Sequence, residues 1–127
     1  MPKIFIATSS FNEDNLKKLK LYDNCIVEFN PLARKLSQDE IIKYASNADA
    51  IIAGTENYSK EVLSRLECLK VISRLGVGMD NIDIEEAKKK EIKIFRTKTT
   101  PGPAVAELAL GLIIDVARNI SFQNNFL

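Results

Sequence analysis

The sequence predicts an α/β fold, a doubly wound sheet of five parallel strands in the order 2-1-3-4-5, and two observations carry that expectation. Short apolar runs rich in β-branched residues recur at 3–7, 26–29, 50–53, 70–73 and 93–95, each followed by a polar or amphipathic segment. Such alternation marks strand-helix units that build a parallel sheet. The runs IFIA, AIIAG and KVIS are apolar almost throughout, as strands covered on both faces are.

The elements follow in order. After the first strand, FNEDNLKKLKLY brings Phe11, Leu16, Leu19 and Leu21 back at helical spacing, which predicts a helix. The second strand leads to SQDEIIKYASNA, where Ser37 and Glu40 stand at the spacing of a capping box. Behind the third strand Ser59 caps a short helix, KEVLSRL. Behind the fourth, Asp80 or Asn81 starts IDIEEAKKK, whose acidic beginning and triple-lysine end match the helix dipole. The lysines read as a solvated helix end and need no function. The fifth strand gives way to turn residues, and Pro103 suits the first turn of a helix running to about Asn119.

That last helix, PAVAELALGLIIDVARNI, is apolar over most of its circumference, and such a helix is expected to be buried on all sides. One five-stranded sheet does not cover it, so a second protein surface is expected, most simply a symmetry-related copy. The reading divides the chain into a sheet domain at 1–102 and a dimerisation element at 103–127, a homodimer on whose surface Phe122 or Phe126 of the tail packs.

Composition narrows the partners. The 127 residues, 46% hydrophobic, suit one globular domain, and 18 basic against 17 acidic residues leave a net charge of +1. No basic footprint for nucleic acid or an anionic membrane is present. There is no histidine, so imidazole acid-base chemistry and imidazole metal ligation are outside this chain's means. Cys25 and Cys68 form no C-x-x-C pair and are expected as free thiols in a reducing cytoplasm. The apolar run 4–7 is too short for a secretory signal, and 108–114, bounded by Glu107 and Asp115, falls far short of the roughly 20 residues of a membrane span.

SRLGVGMDNIDIEEA, residues 73–87, is the stretch that bears on function. A dinucleotide fingerprint needs a third glycine where Asn81 stands and an acidic residue closing the next strand, which instead ends IFRTK. No dinucleotide is expected on this loop and no cofactor in this chain. As a strand-to-helix turn the loop uses Gly76 or Gly78 for positive φ. As a site, the amides of Gly76, Val77 and Gly78 beside a helix start form a nest for a small anion such as a carboxylate, with Arg74 reinforcing it. In a sheet of this order ligands sit at the carboxyl edge between the first and third strands. Thr8 and Ser9 of one loop and Thr55 and Asn57 of the other can donate hydrogen bonds there.

The stretch from Lys70 to Ile120 carries more than a lone G-x-G: R-x-G-x-G-x-D-N-I-D stands at a fixed distance before A-V-A-E-L. This combination resembles the D-isomer-specific 2-hydroxyacid dehydrogenases, in particular their phosphoglycerate-dehydrogenase-like branch. ADAIIAGTENYSKEVLSRLECLK fits the same family, and residues 1–45 agree with it in pattern. The resemblance implies a flavodoxin-like substrate domain, with an NAD-binding Rossmann domain inserted after a helix similar to AVAELALGLIIDVARNI. It places the family's catalytic Arg, Glu and His downstream of Leu127. This chain is thus expected to be the substrate domain alone, without catalytic residues and inert by itself, NAD being the cofactor of the whole family enzyme.

By the same resemblance Gly76, Val77 and Gly78 bind the substrate carboxylate, with Arg74 and Asn81 at matching positions. Ala53 and Gly54 stand where phosphoglycerate enzymes carry an Arg-Ser pair near the substrate phosphate, and Pro101 and Ala104 replace an Asn and a Ser. The expected substrate-binding set is Arg74, Gly76, Val77, Gly78, Thr55 and Asn57, for a small 2-hydroxy or 2-oxo acid. Two other readings stand beside it: a stand-alone module binding small carboxylates, and a non-catalytic remnant that pairs with another chain.

Overall fold

The computed structural model describes residues 1–11, 14, 17 and 24–124. The helix expected over FNEDNLKKLKLY lies largely outside them, as does Phe126. Two compact units are present, Met1–Thr97 and Lys98–Leu127.

The first unit is a five-stranded parallel sheet in the order β2-β1-β3-β4-β5, with β1 at Lys3–Ile6, β2 at Ile26–Phe29, β3 at Ala50–Ala53, β4 at Val71–Arg74 and β5 at Lys93–Arg96. The register aligns Phe5, Ile51, Ile72 and Ile94 across four strands, on one face of the sheet. The first three are buried, in one core with Ile41, Ala45, Val62, Leu63 and Ala87 of the helices. Full burial of a large aliphatic side chain contributes about 1.5–3 kcal/mol, so this face holds the sheet and helices together.

Helix α1, Gln38–Ala45, begins at the capping box: Ser37 Oγ accepts from Glu40 N at 3.3 Å and the Glu40 carboxylate accepts from Ser37 N at 2.8 Å. Arg34 grips the same carboxylate with two nitrogens, at 2.7 and 2.9 Å. These contacts hold the Glu40 carboxyl down to about 2. Helix α2, Lys60–Arg65, starts at Ser59 as expected. Its C-terminal end is closed from outside, by Lys90 Nζ donating to the carbonyls of Leu63, Ser64 and Leu66.

Helix α3, Ile84–Lys89, starts later than the sequence predicts, because Asp83 is its cap and takes the Glu86 amide at 2.9 Å. Asn81, one of the two expected starts, is committed elsewhere by its side chain. At the amino end of the sheet Asp49 accepts from Lys3 N at 2.9 Å and from Lys70 Nζ at 2.8 Å, while its carbonyl takes the Lys70 and Val71 amides. One residue thereby aligns the starts of β1, β3 and β4.

In the second unit α4 runs Gly102–Arg118 and α5 Ile120–Asn124. Asn119, left-handed at φ 52°, ends α4, and Asp115 accepts from the Ser121 amide and hydroxyl at 2.7 and 2.8 Å. The burial expected of so apolar a helix is not found among the described residues: none of α4 is buried, and Leu108, Leu112, Ile113 and Val116 are 55–76% exposed. The five-residue α5 is too short to cover it.

Candidate functional site: the carboxyl end of the sheet

Three loops leave the carboxyl ends of β1, β3 and β4. The first holds Thr8, 7% exposed, with its Oγ1 accepting from Ser10 N at 3.2 Å. The second, residues 54–58, alternates: Thr55 and Asn57 are exposed, while Gly54, Glu56 and Tyr58 are buried. Sequence reasoning picked the two exposed donors and missed Glu56, a residue only 3% exposed. Glu56 Oε2 accepts from Gly54 N at 2.7 Å. Oε1 has no hydrogen-bond partner among the described residues.

Glycine at 54 is required by crowding. A Cβ built there would stand 2.9 Å from both Thr8 Cβ and Thr8 Oγ1 and 3.2 Å from Glu56 Oε1. The Thr8 and Glu56 oxygens therefore converge on the point where a side chain at position 54 would begin.

Asn81 joins the second loop to the third. Its side-chain amide donates to the Gly54 carbonyl at 3.1 Å and the Glu56 carbonyl at 2.7 Å, and its own carbonyl takes the Tyr58 amide at 2.8 Å. The Asp83 amide returns to the Tyr58 carbonyl at 3.0 Å, a short parallel bridge between the loops. Tyr58 is fully buried, and its hydroxyl has no partner among the described residues. Burial first, and the Glu56 charge second, push its pKa well above the usual value.

In the glycine loop Gly76 adopts φ 143°, the conformation only glycine takes with ease. The expected nest is corrected in two respects. The Gly76 amide is already used, donating to Thr97 Oγ1 at 3.1 Å and to the Arg74 carbonyl at 3.0 Å. The helix that was to lend its dipole starts only at Ile84, six residues past Gly78, and its first turn is capped by Asp83. What is left is the pair of amides of Val77 and Gly78, neither of which donates to any described residue.

Positive charge comes from two arginines. Arg74 and Arg96 are register partners at the ends of β4 and β5. Arg74 Nη1 donates to the Leu75 carbonyl, and Arg96 Nη1 to the Val77 carbonyl at 3.0 Å. Neither guanidinium pairs with a carboxylate among the described residues, and like charges directly across a ladder repel unless an anion lies between them. Arg96 was missed from sequence. Its signal was available, since aligning the ends of the fourth and fifth strands pairs it with Arg74.

A model of the catalytic domain of D-isomer specific 2-hydroxyacid dehydrogenases matches residues 5–124, nearly the whole chain. The chain belongs to this family. Among its relatives, the hydroxypyruvate reductase of Thermotoga maritima is 35% identical over 95 residues, covering 74% of this chain and 31% of that protein. The D-3-phosphoglycerate dehydrogenase of Methanocaldococcus jannaschii is 36% identical over 122 residues, covering 94% and 22%. The chain thus spans under a third of the length of either relative.

Solved structures agree. The NAD+-bound 3-phosphoglycerate dehydrogenase of Entamoeba histolytica superposes with a TM-score of 0.74 at 28% identity, over 90% of this chain and 38% of that one. A Thermus thermophilus protein does so with a TM-score of 0.79 at 26% identity, over 98% and 39%. The described residues here do not fit NAD on the glycine loop: the first amide is taken, Asn81 fills the third position as a brace, and β5 ends in Arg96 where a ribose would need an acid. Among the described residues no helix is long and apolar enough to cross a membrane, and no cluster of three metal-ligating side chains occurs.

Proposed function

We propose that this chain is the substrate-binding part of an NAD-dependent D-2-hydroxyacid dehydrogenase, holding a small 2-hydroxy or 2-oxo acid by its carboxylate. One observation carries the reading: Arg74 and Arg96, register partners with no carboxylate partner among the described residues, flank a loop whose Val77 and Gly78 amides donate to none of them. Two cations and two free N–H groups at one loop suit a carboxylate, which accepts through both oxygens. Thr55 and Asn57, exposed on the neighbouring loop, supply further donors. Hydride transfer is the chemistry NAD supplies in such enzymes. This chain's residues bind and orient the acid, and the 127 residues alone are expected to show no NADH-dependent reduction of a 2-oxoacid.

The test is an amide-resolved NMR titration with pyruvate and, separately, NADH. Pyruvate is expected to shift Val77, Gly78 and their neighbours, and NADH to shift nothing at the loop. NADH shifts without pyruvate shifts would overturn the reading.

A second element of the proposal is a homodimer through 103–127, supported by the exposed apolar surface of α4. Leu110→Glu with Ile114→Glu is expected to convert a dimer to a monomer by light scattering, and a monomeric wild-type chain would refute it. The free thiols Cys25 and Cys68 support a cytoplasmic setting.

A further inference from the structure

The candidate site is electrically two-sided. At the β4–β5 side stand Arg74 and Arg96, and at the β1–β3 side stands one carboxylate, Glu56, with no cation paired to it among the described residues. A buried carboxylate is costly to keep unless its oxygens are satisfied, because removal from water penalises the charge. Glu56 has one oxygen satisfied, by the Gly54 amide at 2.7 Å, and one left over. That second oxygen and Thr8 Oγ1 both face the space beside Gly54 at the carboxyl end of the sheet, where the strand order reverses between β1 and β3. In sheets of this kind that is where ligands sit.

The surroundings of Glu56 make it a fixed group. Gly54 leaves no room for a competing side chain, and Asn81 pins the Glu56 carbonyl at 2.7 Å. Its backbone and one carboxylate oxygen are therefore held in place, so the free oxygen presents an acceptor of set position rather than a mobile surface charge. A ligand group meeting it must bring a proton donor.

We propose that Glu56 selects the substrate: Oε1 accepts a hydrogen bond from a hydroxyl group on the far end of a small monocarboxylic acid, and its negative charge turns away an acid that carries phosphate there. The inference rests on the carboxylate being held at Arg74, Val77 and Gly78, as proposed above. A phosphate monoester brings a charge of about −1.5 to −2 at neutral pH, in place of a neutral hydroxyl. Opposed like charges in a partly dry site are strongly unfavourable, and discrimination by repulsion needs no further contact. Glu56 is thus a specificity residue, distinct from the groups that hold the acid.

The experiment titrates the 127-residue chain with propionate, glycerate and 3-phosphoglycerate, followed by amide shifts. Glycerate is expected to bind at least tenfold more tightly than 3-phosphoglycerate, and the Glu56→Gln variant to narrow that ratio at least fivefold. Equal binding of glycerate and 3-phosphoglycerate by the wild type overturns the selection by Glu56. An unchanged ratio in a folded Glu56→Gln does the same. In both cases propionate shifts at Val77 and Gly78 would leave the carboxylate reading standing. Silence with all three acids overturns both. Should Glu56→Gln fail to fold, the wild-type ratio alone decides.

Discussion

Each end of the sheet holds a carboxylate on a backbone amide, and the two are treated in opposite ways. At the amino end Asp49 takes the Lys3 amide and the Lys70 ammonium, so its charge is matched and faces water. Its carboxyl is lowered by the Lys70 hydrogen bond first and the Lys3 amide second. At the carboxyl end Glu56, a buried residue, takes the Gly54 amide and has no cation among the described residues, while two arginines on neighbouring strands have no carboxylate partner among them. An end whose charges are matched has only structure to maintain. An end whose opposite charges are kept apart, each fixed by backbone contacts, leaves both signs available to the acid proposed above.

The largest effect is expected at Gly54. Gly54→Val would drive a side chain into Thr8 and Glu56, and overpacking of this kind costs about 1–3 kcal/mol. Urea denaturation is expected to register that loss together with the disappearance of carboxylate-induced amide shifts. A variant as stable as the parent would mean that the carboxyl end is looser than described. Next in size is Asn81→Ala, which strands the Gly54 and Glu56 carbonyls and is expected to cost about 1–2 kcal/mol. Since Asn81 links two loops, acid binding should weaken alongside stability; a stability loss with unaltered binding would separate the brace from the site.

At the other end Asp49→Asn should lower the melting temperature less than either change, because an exposed pair is screened by water. It should leave the pattern of ligand shifts as it was. The smallest effect comes from the Arg34–Glu40 pair. Glu40 is lowered by Arg34 first and Ser37 second, from 4.5 to about 2, so its contribution is complete above pH 4.5 and is lost as pH falls through about 2. Acid melting curves of wild type and Arg34→Ala should therefore differ above that window and converge at its foot.

The sequence made the sheet legible because parallel strands covered on both faces must be apolar throughout, and β3 and β4 were found to within a residue. Ser37 and Glu40 announced α1 through spacing alone. The start of α3 was harder, since Asp80, Asn81 and Asp83 are all residues that cap helices. Tertiary contacts decide among them: Asn81 is drawn away to the Gly54 and Glu56 carbonyls, leaving Asp83 as the cap. Val77 and Gly78 lie on the expected loop at the carboxyl end, with Arg74 just ahead of it as the last residue of β4. Glu56 was invisible for a simple reason. A glutamate among Thr, Asn and Tyr looks like solvated loop, and only the contact with Gly54, two residues earlier, turns it inward.

Tyr58 gives the joint between the loops an alkaline limit. Its hydroxyl is neutral and enclosed, with its pKa raised by burial and then by Glu56, so stability from this group is whole below about 10 and drains away as pH rises toward the folded value. The chain has no tryptophan, which leaves tyrosine absorbance as its native optical signal. In a base titration the appearance of Tyr58 phenolate would report the opening of the Tyr58–Asn81–Asp83 seam itself, so the protein carries a built-in indicator dye at the point where the loops after β3 and β4 meet.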